Sequence, residues 1–347
     1  MAALPVPVLA FCGFSGSGKT TLLESLIPLL AQQGLVVGLI KHDAHGVVVD
    51  QPGKDSDRLF RAGAQLCLRA PNETFTRWHP SSSRDLPWAL GLLAWQVDLI
   101  LVEGHKDTPL PKVWLEHPQD PSVPETLQGL VEVLPWGSAR LPRALELAQR
   151  LVTAHQPPLW GGILLGGHSS RMGTPKQLLS VGRESALARV ARTLASQVAG
   201  LAYLGAGPLP ADAPPAPQIP DPPGPGGPLA GMVAALRWQP TSRWLIVPVD
   251  AIALSPALIC FFREHQRPGW WAVQLKNPAG ELEPLFALLS PQIQAFADQC
   301  WQQGQGPRAL AQHEKAHLLP VPEPLGGALA SANTPEAWHE LVQKLKP

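Results

Sequence analysis

Two glycine-rich stretches carry the residues with evident chemistry, one near the start of the chain and one near its middle. The first, Gly13-Phe-Ser-Gly-Ser-Gly-Lys-Thr20, has the spacing G-x-x-x-x-G-K-[ST] of a phosphate-binding loop. Its glycines let successive backbone N–H groups converge on phosphate oxygens, and a helix starting at the loop adds a favourable partial charge. In such a loop Lys19 reaches the β- and γ-phosphates and the Thr20 hydroxyl ligates Mg²⁺. A later apolar run, Leu99-Ile-Leu-Val-Glu103, ends in a carboxylate that can stand near the metal or the attacking water. Lys41-His-Asp-Ala-His45 offers His42, Asp43 and His45 as metal ligands. No further spaced ligand supports a zinc site, so this segment reads as a polar loop touching solvent or phosphate.

The second stretch, Gly166-Gly-His-Ser-Ser-Arg-Met-Gly173, again follows an apolar run. Nucleotidyl transfer needs a cradle for a triphosphate, cations against the developing charge, and a carboxylate that holds a metal at the α-phosphate. Gly166 and Gly167 free backbone N–H groups, Arg171 can make forked bonds to phosphate, and Lys176 adds a compact positive charge. The apolar run Trp244-Leu-Ile-Val-Pro-Val249 leads into Asp250, where Mg²⁺ can bridge protein and phosphates. Asp221 precedes the turn Gly224-Pro-Gly-Gly227. A carboxylate accepts from guanine N1 and N2 together, a donor pair that neither adenine nor cytosine presents, so Asp221 is a candidate for base choice.

These groups need strand ends to hold them. Short runs rich in Val, Ile and Leu alternate with longer stretches of helical period, the pattern of βα units around mainly parallel sheets. The alternation starts twice. Val6 to Cys12, the loop, a helix from about Lys19 to Gln33 stopped at Gly34, and a strand at Val36 to Ile40 open the first set. A helix from about Leu141 to Ala154 closes it, and His155-Gln-Pro-Pro158 breaks the pattern. The expected division is therefore a domain over 1–154, a linker at 155–159 and a second domain over 160–347. Gly205 to Pro228, dense in Pro and Gly, reads as an active-site loop between a strand and a helix.

Composition agrees with an α/β protein of two domains. The chain has 347 residues, 45% of them hydrophobic and 16% charged, enough apolar surface for packed cores. Lys plus Arg and Asp plus Glu balance at 27 each, with no like-charge run suited to nucleic acid or an anionic membrane. The N-terminus lacks a basic region ahead of its apolar run, no stretch is long enough to span a bilayer, and Cys12, Cys67, Cys260 and Cys300 lack metal spacing. A cytoplasmic location with reduced thiols is expected.

At the first loop the chain resembles the molybdopterin-guanine dinucleotide biosynthesis adaptor family, of MobB type. The matching segments are the loop with Thr21-Leu-Leu-Glu-Ser-Leu-Ile-Pro28, Gly38-Leu-Ile-Lys-His42, Asp50-Gln-Pro-Gly-Lys-Asp-Ser56, Arg61-Ala-Gly-Ala64 and Asp98-Leu-Ile-Leu-Val-Glu-Gly104. The resemblance implies a P-loop NTPase fold that binds GTP through Gly13, Ser15, Gly16, Ser17, Gly18, Lys19, Thr20 and Thr21, with weak hydrolysis. Asp50, Lys54, Asp55 and Ser56 match a further motif of that family.

The second half resembles the molybdenum cofactor guanylyltransferases, of MobA type. The resemblance rests on Leu164-Leu-Gly-Gly-His-Ser-Ser-Arg-Met-Gly-Thr-Pro-Lys176, Gly227-Pro-Leu-Ala-Gly-Met232, Pro248-Val-Asp250, Glu283-Pro-Leu-Phe-Ala-Leu288 and Asn333-Thr-Pro-Glu336. It implies a Rossmann-like nucleotidyltransferase fold that, with Mg²⁺, transfers GMP from GTP to Mo-molybdopterin and releases pyrophosphate. Leu164, Leu165, Gly166, Gly167, Lys176, Asp221, Gly227, Leu229 and Asn333 would meet the substrates. Leu165, where the family usually has Ala, and Ala251, where it has a hydroxyl or Met, depart from the pattern. Implied partners are molybdopterin-handling proteins and apo-molybdoenzymes, and a homo-oligomer is compatible. The alternatives are a cytidylyltransferase of the same fold, disfavoured by Gly166-Gly167 and Gly227 to Gly231, and a non-enzymatic carrier, disfavoured by the intact Arg171, Lys176 and Asp250.

Overall fold

The computed structural model describes residues 4–42, 50–79, 85–137, 139–166, 174–332 and 334–345. The chain forms two compact units, Val6–Arg150 and Leu151–Pro347. Among the described residues no helix is long and apolar enough to cross a membrane.

In the first unit β1 (Val8–Cys12) is apolar at every position and buried at every position, as a central strand covered on both faces must be. The helix α1 (Lys19–Gln32) follows the glycine loop and buries Leu22, Leu23, Leu26 and Leu30, one stripe at helical spacing. It ends where Gly34 takes a left-handed φ of 86°. Next come β2 (Val37–Lys41), α2 (Asp55–Arg61), the antiparallel pair β3 (Leu66–Arg69) and β4 (Thr74–Arg77), and α3 (Leu86–Ala94). The unit continues with β5 (Leu99–Glu103), β6 (Lys112–Leu115) and β7 (Leu130–Leu134), and α4 (Arg140–Ala154) follows. The main sheet has the order β2-β5-β1-β6-β7, and all four pairings are parallel. Every strand therefore ends at the same edge, and β1 stands in the middle with β5 on one side and β6 on the other.

The second unit opens with β8 (Leu159–Leu164), one residue earlier than the apolar run Trp160 to Leu165 that the sequence pattern marks as the strand. The small hairpin β9 (Ser180–Val181) and β10 (Glu184–Ser185) leads into α5 (Ala186–Ala195), where Ser185 accepts a bond from the N–H of Ala188. The strands β11 (Gly200–Leu204) and β12 (Gln218–Ile219), helix α6 (Pro228–Trp238), strand β13 (Arg243–Pro248) and helix α7 (Pro256–His265) come next. The remaining elements are β14 (Ala272–Lys276), β15 (Leu282–Leu289), α8 (Gln294–Gln302), β16 (Ala316–Pro320), α9 (Glu323–Gly326) and α10 (Pro335–Lys344). The sheet order is β12-β11-β8-β13-β15-β14-β16. It is parallel except at β15, which runs against both β13 and β14. The Pro- and Gly-rich segment after β11 is no linker, since β12 lies within it and joins the sheet beside β11.

Alternation along β13 explains the two cores of this unit. Leu245 and Val247 face a cluster with Leu187, Leu194 and Phe262, while Trp244 and Ile246 face a second with Met232, Leu236 and Trp301. Each fully buried Leu or Ile contributes about 2 kcal/mol, so both faces fix the sheet firmly under its loops. Gly162 belongs in β8 because a Cβ there would stand 2.7 Å from both Ile246 Cδ1 and Leu204 Cδ1. The strand can approach its neighbours only without a side chain at that point.

Candidate functional site

The loop between β1 and α1 is held from inside. Gly13 packs so tightly that a Cβ would lie 2.4 Å from Ser17 Oγ and 2.6 Å from the carbonyl oxygen of Leu115, and Ser17 is fully buried. Lys19 Nζ donates to the carbonyls of Gly13 (3.2 Å) and Phe14 (2.8 Å), so the lysine head lies along the loop that it would share with a phosphate. Burial pushes its ammonium below the ordinary lysine value, and Glu103 works against that shift. The Thr20 hydroxyl donates to Glu103 Oε1 at 2.8 Å across 83 residues of sequence, and Lys41 Nζ stands 3.7 Å from the other carboxylate oxygen. A hydroxyl and a carboxylate, both hard oxygen donors, meet at the carboxyl ends of β1 and β5, a donor set that suits Mg²⁺.

Around this pair the loops fall into two sides. On the β5 side, His105 has a left-handed φ of 58°, rare for a residue with a side chain, and its ring lies 5.0 Å from that of His42. Burial first and His42 second push the His105 imidazole below its ordinary range. Asp43 and His45 lie outside the described residues, and among the described residues no three His, Cys, Asp or Glu side chains gather as a metal cluster. On the β6 side, His117 Nε2 faces Gly16, and Trp136 borders Gly18.

Arg140, at the start of α4, ties these loops together. Its guanidinium donates to the carbonyls of Ser17 (2.7 Å), Pro135 (2.7 Å), Glu116 and Leu134 (3.2 Å). One side chain thus joins the phosphate-binding loop to the ends of β6 and β7, and its donors are occupied by backbone rather than held out for a ligand. Arg140→Met should lower the unfolding free energy by about 3 kcal/mol, because four carbonyls lose a charged donor. Chemical denaturation followed in the first unit measures this, and Arg140→Lys should recover under half of the loss since one ammonium cannot span three loops.

The motif Asp50 to Ser56 builds its own turn. Asp50 Oδ1 accepts from Gln51 N (2.8 Å) and Ser56 Oγ (2.9 Å). Asp57, which the sequence reading passes over, accepts from Gly53 N, Arg61 and Arg77. The Gly53 N–H, then Arg77, hold its carboxyl down at about 2. The arrangement fixes α2 against the β3–β4 pair.

In the second unit the ends of β8, β11 and β13 converge, with Leu165 N donating to the carbonyl of Leu204 and Val249 N to that of Leu164. Asp250, just beyond β13, is buried, and its Oδ2 receives Lys176 Nζ at 2.5 Å. Lys176 packs against Gly166, where a Cβ would lie 3.4 Å from its Cβ. The lysine, the carboxylate and the glycine loop thus share one place, although 74 residues separate the ion pair in sequence. Gly167, Arg171 and Asn333 lie outside the described residues. Gln177, also passed over by the sequence reading, is buried near Gly166, and among the described residues its Oε1 has no hydrogen-bond partner.

Asp221 follows β12. Its Oδ1 lies where a Cβ on Gly231 would be 3.7 Å away and one on Gly205 3.9 Å away. No described residue bonds its carboxylate, and although the residue is exposed, desolvation by the protein around it pushes the carboxyl above the ordinary aspartate value. Gly227 precedes α6 with a φ of 109°, while the Leu229 side chain is buried in the core, leaving only its backbone to face a ligand.

Residues 8–134 match the family model for molybdopterin guanine dinucleotide synthesis protein B, and residues 161–318 match that for the MobA-like NTP transferase domain. The chain is 44% identical over 124 residues to the molybdopterin-guanine dinucleotide biosynthesis adapter protein of Haemophilus influenzae, covering 34% of this chain and 67% of that one. It is 36% identical over 208 residues to the molybdenum cofactor guanylyltransferase of Rhizobium meliloti, covering 53% of this chain and 94% of that one. The chain thus spans only about two thirds of the adapter relative's length. Molybdopterin-guanine dinucleotide biosynthesis protein A from Archaeoglobus fulgidus, a solved structure, is similar at 17% identity and a TM-score of 0.45, covering 53% of this chain and 97% of its own.

Proposed function

The chain belongs to the molybdenum cofactor guanylyltransferase family and carries a domain of the molybdopterin-guanine dinucleotide biosynthesis adapter family ahead of it, and on that premise we propose that it makes molybdopterin guanine dinucleotide. The terminal phosphate of Mo-molybdopterin attacks the α-phosphate of GTP. A phosphorus–oxygen bond forms between them as the bond from the α- to the β-phosphate breaks, and pyrophosphate leaves. A phosphate monoester is already a competent nucleophile, so no covalent enzyme intermediate is needed.

The observation that carries this reading is the buried Lys176–Asp250 pair beside Gly166, at the joined ends of β8 and β13. Asp250 is the carboxylate that would hold Mg²⁺, which would neutralise charge on the triphosphate and align its α-phosphate. Lys176, turning from Asp250 to the phosphates, balances the negative charge that builds there. The N–H groups of the glycine loop bind the triphosphate, with Arg171 as a second cation, and Asp221 selects guanine.

The first unit is proposed to bind GTP at Gly13 to Thr21, with Thr20 and Glu103 as the oxygen ligands for a second Mg²⁺. The short connection between the two units keeps each at a high effective concentration near the other, about millimolar for a short linker. Turnover of the purified chain with Mo-molybdopterin, Mg²⁺ and either GTP or CTP tests the proposal. Guanine dinucleotide from GTP alone is the expected result. Cytosine dinucleotide would move the chain to cytidylyl transfer, and no product with either nucleotide would overturn the enzymatic reading in favour of a carrier.

A further inference from the structure

Trp136 takes no part in the nucleotidyl transfer, yet it is 53% exposed at the rim of the first nucleotide loop. It sits just past β7, whose carboxyl end lies at the same sheet edge as that of β1. A Cβ on Gly18, the residue just before α1, would stand 3.8 Å from Trp136 Cζ3, so the indole edge borders the loop itself. The Arg140 guanidinium lies 4.8 Å from the centre of the indole ring. Since that guanidinium is spent on the carbonyls of Ser17, Pro135, Glu116 and Leu134, the indole is held at a fixed distance from the loop.

The direction in which a bound nucleotide must run follows from the metal-type pair. Thr20 and Glu103 meet on the β5 side of β1, and a metal there serves the β- and γ-phosphates. The α-phosphate and the nucleoside then extend the opposite way, across Gly18 toward β6 and β7. There the exposed aromatic surface beside the loop is Trp136. Sequence-tolerant stacking of a base on an aromatic face is worth about tenfold or more in affinity, and purines offer the larger face.

We infer that Trp136, backed by Arg140, is the platform on which the purine base of the nucleotide in the first unit stacks. The inference rests on the reading of Gly13 to Thr21 as a nucleotide site, and the test separates the two. Labelled GTP is dialysed against the full chain and against Lys19→Ala, and the difference defines binding at the first loop apart from the transferase unit. Within that component Trp136→Ala should weaken GTP about tenfold, while Trp136→Phe stays within about threefold of wild type. Inorganic tripolyphosphate, which has no base, should compete equally well against wild type and Trp136→Ala.

Unchanged GTP affinity in Trp136→Ala would overturn the inference. So would an equal loss for tripolyphosphate, which would show that Trp136 shapes the loop rather than meeting the base. If Lys19→Ala removes no GTP binding at all, the nucleotide site itself falls, and the inference with it.

Discussion

Asp250→Asn is expected to lower guanylyl transfer at least a thousandfold, about 4 kcal/mol in the barrier. Asn keeps the shape of the side chain and one acceptor oxygen but loses the charge that a metal at the α-phosphate requires. The same change leaves Lys176 facing a neutral partner in a buried place, since only 14% and 8% of the two side chains are exposed. Breaking such a pair by removing one partner costs about 3 to 5 kcal/mol of stability, so a loss of turnover alone would not separate catalysis from unfolding. The double variant Lys176→Met/Asp250→Leu resolves this, because replacing a whole buried ion pair by apolar groups is often neutral. Its denaturation midpoint should return toward wild type while its turnover stays absent. Retention of more than about a tenth of the wild-type rate in Asp250→Asn would remove Asp250 from the chemistry.

What could be read in advance was local in sequence or placed by a general rule of α/β sheets. The loop Gly13 to Thr20 declares itself by spacing, and the rule that ligands gather at the carboxyl ends of strands brought Glu103 to Thr20 and Asp250 to the second loop. Both predicted acids stand within hydrogen-bond reach of a residue in their glycine loop region, at 2.8 Å and 2.5 Å. Strand boundaries shifted by one or two residues, with β8 starting at Leu159 and β1 at Val8 rather than Val6, because an apolar run does not say which of its ends pairs first.

Arg140 was illegible for a different reason. It acts by donating to backbone carbonyls, which every residue has, so nothing in the types of Ser17, Glu116, Leu134 or Pro135 announces the contact. Trp136 is one of 12 tryptophans, and only the sheet order puts it beside Gly18. The antiparallel β15 likewise has no signature in its own residues, since its buried apolar half, Phe286 to Leu289, reads the same in either direction.

Asp221→Asn should cost about a hundredfold in kcat/KM for GTP and bring the preference for GTP over inosine triphosphate close to one. A carboxylate takes N1–H and the N2 amino group of guanine side by side, whereas an amide offers one acceptor and turns a donor toward the other. Inosine lacks the N2 amino group, so wild type should favour GTP over it by about ten- to hundredfold, the worth of one hydrogen bond to a charged group. The preference depends on ionisation, which gives it a pH dependence of known sign. Desolvation by the protein around it raises the Asp221 pKa above the ordinary aspartate value of about 3.9. In the ligand-free protein this group's stabilising contribution is present below that ordinary value and is lost as pH rises through the raised one. Guanine binding favours the charged form and opposes that loss, so GTP should bind with release of a proton in this window. The preference for GTP over inosine triphosphate should therefore fade on acidification at a pH above that at which an exposed carboxylate titrates. A ratio that is insensitive to pH and unchanged in Asp221→Asn would mean that the base is chosen elsewhere, by backbone groups around Gly205 and Gly227.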